Sequence, residues 1–191
     1  MKLPFPRMTI LGNYKEISMK RTHVVCVAVA VCLIFGGLLT AQTKEDIELY
    51  KDCKYCGMNR GMYDFSRMLI EYEDGTSTAV CSVHCAAVDM ANNIDKAPKA
   101  IKVGDFNNKQ LIDAEKAFWV VGGNKPGVMS KRGKWAFEKR DDAENFMKTN
   151  QGQTASFEEV MKTAYEDMYE DTKMIREKRK MKRMKMMEQK S

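Results

Sequence analysis

A stretch of nineteen residues without a single charge, His23 to Ala41, divides the chain and limits where a fold can form. Its apolar run, Val24 to Phe35, follows the basic pair Lys20 and Arg21, which is the charged-then-apolar order of a secretory signal. Gly36 and Gly37 loosen the run and Ala41 ends it on a small residue, so cleavage after Ala41 is the simplest reading. Met19-Lys20-Arg21 is a compact positive region, and Met19 is a candidate initiator. If retained, Val24 to Ala41 is eighteen residues, at the lower limit for a membrane-spanning helix, so an uncleaved anchor is the alternative. On either reading residues 1–41 are a leader. The remainder is expected in the periplasm or on the outer face of the cytoplasmic membrane.

Charge divides the same way. The net charge of the 191 residues is +6. Five basic residues against Glu16 give residues 1–22 a charge of +4, and nine against Glu177 and Glu188 give residues 173–191 a charge of +7. The 150 residues between them therefore sum to −5. The part long enough to bury a core is acidic, and a nucleic-acid partner is not expected for an exported chain of this kind. The basic tail suits an anionic membrane surface, an acidic partner protein or plain solvation.

Between leader and tail the pattern is mixed α+β. Gln42 to Tyr50 is a polar lead-in. Arg67 to Tyr72 and Thr76 to Val80 flank Glu73-Asp74-Gly75 and read as a β-hairpin, followed by helical spacing over Ala86 to Ile94. The pattern recurs more loosely. Ala97 to Val103, Ala117 to Val121 and Lys134 to Glu138 are strand candidates, and Leu111 to Glu115 is a connector. Gly122 to Gly127 is a loop, and Asp141 or Asp142 caps a helix reaching Lys148. The expected domain, residues 42–155, is therefore two similar strand-strand-helix halves, about 50–95 and 97–155. Residues 156–191 follow as a long helix from Ser156 and a frayed or disordered Lys/Met-rich tail.

Export changes how the cysteines are read. Cys26 and Cys32 lie within the leader, leaving Cys53, Cys56, Cys81 and Cys85, for which two structural disulfides are the default in an oxidising compartment. Cys53-x-x-Cys56 is followed by Gly57, not His, which excludes c-type haem attachment. The charged residues before it do not make the buried strand of a thioredoxin-like redox site. Metal binding or a disulfide remains. Met58 adds a thioether, and soft sulfur ligands favour Cu(I). With Cys81 and Cys85, the pair also makes a four-cysteine set of the zinc-ribbon kind. His84 lies between those two cysteines and is either a further ligand or a surface histidine. The methionines from Met161 onward are either a thioether reserve or core stripe and mobile tail.

Cys53-x-x-Cys56-Gly57-Met58 and the hairpin closing on a cysteine-bearing helix start resemble the NosL family of exported copper-binding proteins. Asp105, Ala114, Ala117, the Gly-rich loop, Met129, Ala136-Phe137, Ala143, Phe146 and Gly152 extend the resemblance over about residues 50–160. Members of that family are accessory proteins of nitrous oxide reductase. The resemblance implies a non-enzymatic Cu(I) metallochaperone built from two small α+β halves, with Cys56 and Met58 as ligands and Met129 as a further thioether. It also implies a copper-accepting partner, nitrous oxide reductase with its membrane assembly complex being the family's own. Two positions depart from the pattern: Ser130 stands after Met129 where Gly is usual, and no cysteine ends the signal. The expected metal set is Cys53, Cys56, Met58, Cys81, His84, Cys85 and Met129, with copper as cargo. The alternative is a zinc-binding or disulfide-stabilised interaction module.

Overall fold

A computed structural model describes residues 42–189. The chain divides into Met1–Ala41 and Gln42–Ser191, and only the second unit is described here. The leader, with its signal or anchor reading and Cys26 and Cys32, lies outside the described residues. No described helix is long and apolar enough to cross a membrane.

The supposed lead-in is a helix, α1 (Gln42–Leu49). The hairpin forms as expected from β1 (Met68–Tyr72) and β2 (Ser77–Val80), antiparallel, with Met68 opposite Val80 and Glu71 opposite Ser77. Gly75 takes a φ of 81° at the turn, where a side chain would be strained, and Asp74 accepts from the Thr76 N–H at 2.9 Å. Next come α2 (Val83–Asn92) and β3 (Pro98–Gly104), which returns antiparallel along the other edge of β1. The second half is β5 (Phe118–Val121), β6 (Lys134–Phe137), α3 (Arg140–Asn150) and β7 (Gln153–Ala155). Its strand order, β6-β5-β7, repeats the β2-β1-β3 of the first half. Both halves are thus strand-strand-helix units, each with a third strand returning to the first. The supposed connector contains β4 (Leu111–Asp113), which extends the first sheet beyond β3.

Two boundaries differ from expectation for local reasons. α3 starts one residue before Asp141, capped by the extended backbone of Lys139, so Asp141 and Asp142 fall in its first turn and favour the helix through its dipole. α4 (Phe157–Glu188) opens with a complete capping box between Ser156 and Glu159, and it continues as helix through the supposed frayed tail.

Packing makes two cores. One holds Met68, Ile70, Tyr72, Val80, Val83, Ile101, Trp119, Val160, Met161 and Ala164, and it includes Cys53, Cys81 and Cys85. The other is aromatic: Phe106 lies against Trp135, Phe137 and Phe146 with ring centroids 5.0–5.6 Å apart. α4 packs along α2 and touches β5, with Phe157 against Trp119. One long helix therefore braces both halves.

Candidate metal centre

The cysteine site is assembled from two pieces of chain. Asp52 and Asn59 bridge as an antiparallel pair, and between them the Cys53 N–H donates to the Met58 carbonyl and the Gly57 N–H to the Cys53 carbonyl, both at 2.9 Å. Gly57 has a φ of 70°, which lets the chain reverse so tightly that Cys53 and Cys56 face the same way. The second piece is the end of β2 running into α2. Cys81 precedes the helix and Cys85 is in its first turn.

The four sulfur atoms lie within 4.8 Å of one another. Cys56 Sγ is 3.4 Å from Cys81 Sγ, and Cys81 Sγ is 3.8 Å from Cys85 Sγ. All four are free thiols, Cys56 half-buried and the others buried. Crowding sets their acidities apart. Cys53 is pushed far below the ordinary thiol range because Cys56, Cys81 and Cys85 hydrogen-bond to its sulfur. Cys56 is raised by Cys53, but Cys81 and Cys85 bring it to a net lowering. Cys81 and Cys85 are pushed up, first by Cys53 and then by their other neighbours. The four thiols thus titrate as one coupled group, and ionising all of them together favours a cation among the sulfurs.

Two polar hubs hold the cysteine loop. Asp89, fully buried on α2, accepts from Tyr55 Oη at 2.6 Å, Tyr72 Oη at 2.5 Å and Lys54 Nζ at 3.2 Å. Lys54 and Tyr55 are the two residues between Cys53 and Cys56, so one carboxylate ties the loop to the helix carrying Cys85. Burial and Asp89 together push Tyr55 up to about 12, which keeps its donor proton in place. The second hub is Asp46 on α1. Its carboxylate accepts from Arg60 at 2.7 Å and twice from Arg67 at 2.9 Å, and both arginines are completely buried. Arg60 also donates to the carbonyls of Tyr50 and Val80, tying α1 to the loop and to β2.

The other expected ligands lie differently. His84 does not join the four sulfurs. It is buried against α4, its Nδ1 3.6 Å from Asp171 Oδ2, and burial lowers its pKa despite that carboxylate. Cys85 turns toward Cys81, with their sulfurs 3.8 Å apart, whereas His84, one residue earlier on the helix, is turned about 100° away. Met58 and Met129 are half-buried and pack against the core that contains the cysteines. Met129 adopts a left-handed φ of 59°, at the step where the family pattern places its Gly one residue later. Its loop is pinned by the Lys131 N–H, which donates to Asp171 Oδ1 at 2.9 Å, and by Lys134 Nζ to Ser130 Oγ at 3.2 Å. The Asp46 hub carries no local sequence signal. Isolated acids in an apolar surround are the only hint, and Asp89 on the apolar helix shows it.

The NosL family pattern matches residues 44–165. The chain belongs to the NosL family. None of the curated proteins matches it. Among solved structures, a crystal structure of the copper chaperone NosL from Shewanella denitrificans is 22% identical with a TM-score of 0.47, covering 58% of this chain and 89% of that one. The matched span runs from α1 into α4 and contains every sulfur of the cluster, Met58 and Met129.

Proposed function

We propose that this NosL-family chain is an exported metallochaperone that takes Cu(I) as cargo on the cysteine cluster and Met58, with Met129 as a further thioether, and gives it to an acceptor by ligand exchange. The convergence of four thiols within 4.8 Å carries the reading, because thiolate and thioether sulfur select soft monovalent copper. Only metal–ligand bonds change, those to this chain's sulfurs breaking as those to the acceptor's donors form, so the role is transfer and not catalysis. Family membership supports nitrous oxide reductase and its membrane assembly complex as recipients. The charge order of residues 20–41 supports export, to the periplasm or the outer face of the cytoplasmic membrane.

One observation favours a second reading. A tetrahedral zinc site with Zn–S bonds of about 2.3 Å has sulfur–sulfur edges of about 3.8 Å, close to the spacings here. Four thiolates around Zn²⁺ would make the cluster a structural centre and not a carrier. Anaerobic Cu(I) titration against a competing chelator separates the two. One tight, chelator-exchangeable equivalent that is weakened in the Cys56→Ala, Met58→Ala double variant supports copper transfer. Unchanged affinity in that variant, or zinc retained on purification and resistant to Cu(I), refutes it.

A further inference from the structure

From Arg176 to Lys185, seven of ten residues are Lys or Arg and one, Glu177, is acidic. All lie on α4, and from Arg176 to Lys185 every side chain is exposed. Among the described residues none of the seven enters an ion pair; Arg179 instead donates to the carbonyl of Cys56 at 3.0 Å. That bond sets the helix across the rim of the cysteine site. Beyond it α4 runs nine more residues, about 14 Å, all of them exposed. Like charges recur at helical neighbour spacing, as in Arg176 with Lys180 and Lys178 with Lys182, a repulsion that an acidic surface would remove.

We propose that this end of α4 is a docking site for an acidic protein surface, which it holds against Cys56. The inference rests on the metal-exchange reading for its purpose, and the partner is the protein that gives or receives the metal. A protein suits the helix better than a lipid surface does. At about 100° per residue, the one broad sector without Lys or Arg holds Met174, Met181 and Met184 together with Glu177 and Glu188, whereas an interfacial helix buries a face without charges. The acidic charge of the remaining domain, −5 against +7 for residues 173–191, also leaves the tail as the place where an acidic partner meets attraction.

The test uses the purified full-length protein without metal, so that failure to bind copper and failure of docking are seen separately. A labelled glutamate-rich peptide and phosphatidylserine vesicles are the two probes. The peptide is expected to bind, to weaken by about tenfold or more from low to high ionic strength, and to slow alkylation of Cys56 by a bulky neutral maleimide. The variant with Lys178, Lys180, Lys182, Arg183 and Lys185 changed to Gln is expected to lose both effects while keeping its helical circular dichroism. Stronger binding to vesicles than to peptide, equal peptide binding by the variant, or alkylation of Cys56 at an unchanged rate would each overturn the proposal.

Discussion

Tyr55, inside the Cys-x-x-Cys loop, donates its hydroxyl to Asp89 of α2 at 2.6 Å, so a hydrogen bond beside the Cys56–Cys81 sulfur contact ties the two pieces of the cysteine cluster together. Lys54 makes the same connection from the neighbouring position.

Asp89→Ala is expected to destabilise the protein by about 2 to 3 kcal/mol, since it strands the buried Tyr72 hydroxyl and takes the partner from the half-buried Tyr55 hydroxyl, while the half-exposed Lys54 turns to water. Cu(I) affinity should fall with it, because the loop loses its tie to Cys85. Thermal denaturation of the metal-free protein and chelator competition read the two effects separately.

Stability should also fall in acid through the same residue. Burial raises the Asp89 pKa, but the donated hydrogen bonds of Tyr55, Tyr72 and Lys54 outweigh it, and the folded value lies below the ordinary carboxylate range. The contribution is therefore complete above about pH 4, where the unfolded carboxyl ionises, and is lost as pH falls through the folded value. Urea midpoints between pH 7 and pH 3 should decline in the native protein more steeply than in Asp89→Asn.

Asp46→Ala leaves Arg60 and Arg67 buried without their shared carboxylate, and a cost of about 3 to 5 kcal/mol is expected. Removing α1 should cost at least as much. Equilibrium denaturation measures both.

Met129→Leu keeps the volume and removes the thioether, so stability should change by less than about 1.5 kcal/mol. A ligand role predicts that Cu(I) affinity drops by about tenfold or more while Zn²⁺ affinity is unchanged. Equal Cu(I) affinity in the competition assay would reduce Met129 to packing.

Cys56 and Cys81, whose sulfurs are 3.4 Å apart, should form the first disulfide when the metal-free protein is oxidised, and bound metal should prevent it. Peptide mapping after alkylation gives the pairing. A Cys53–Cys56 product in its place would contradict the arrangement described.

The hairpin, the second half and the start of α4 were legible because each has a local signature: an Asp-Gly turn between β-rich runs, a glycine-rich loop, a capping box at Ser156. The cysteines were legible as two pairs from their spacing, and the structure brings the pairs together. α1 was not, since its amphipathic signal is weak and its anchor is one buried acid, Asp46, whose arginines lie fourteen and twenty-one residues away. His84 was weighed as ligand or surface residue, and its burial against Asp171 follows from the path of α4, nearly ninety residues later, which no local pattern encodes. β4 and β7, three residues each, are too short to stand out from their connections.

α4 touches the site twice. Asp171 fastens the loop of Met129, and Arg179, eight residues further on, fastens the carbonyl of Cys56. Eight residues of helix are about 12 Å of nearly incompressible rod. The helix therefore acts as a ruler laid along two half-folds that already share a core, and the span between its two anchor points, the Met129 loop and the Cys56 carbonyl, is counted out in helical residues.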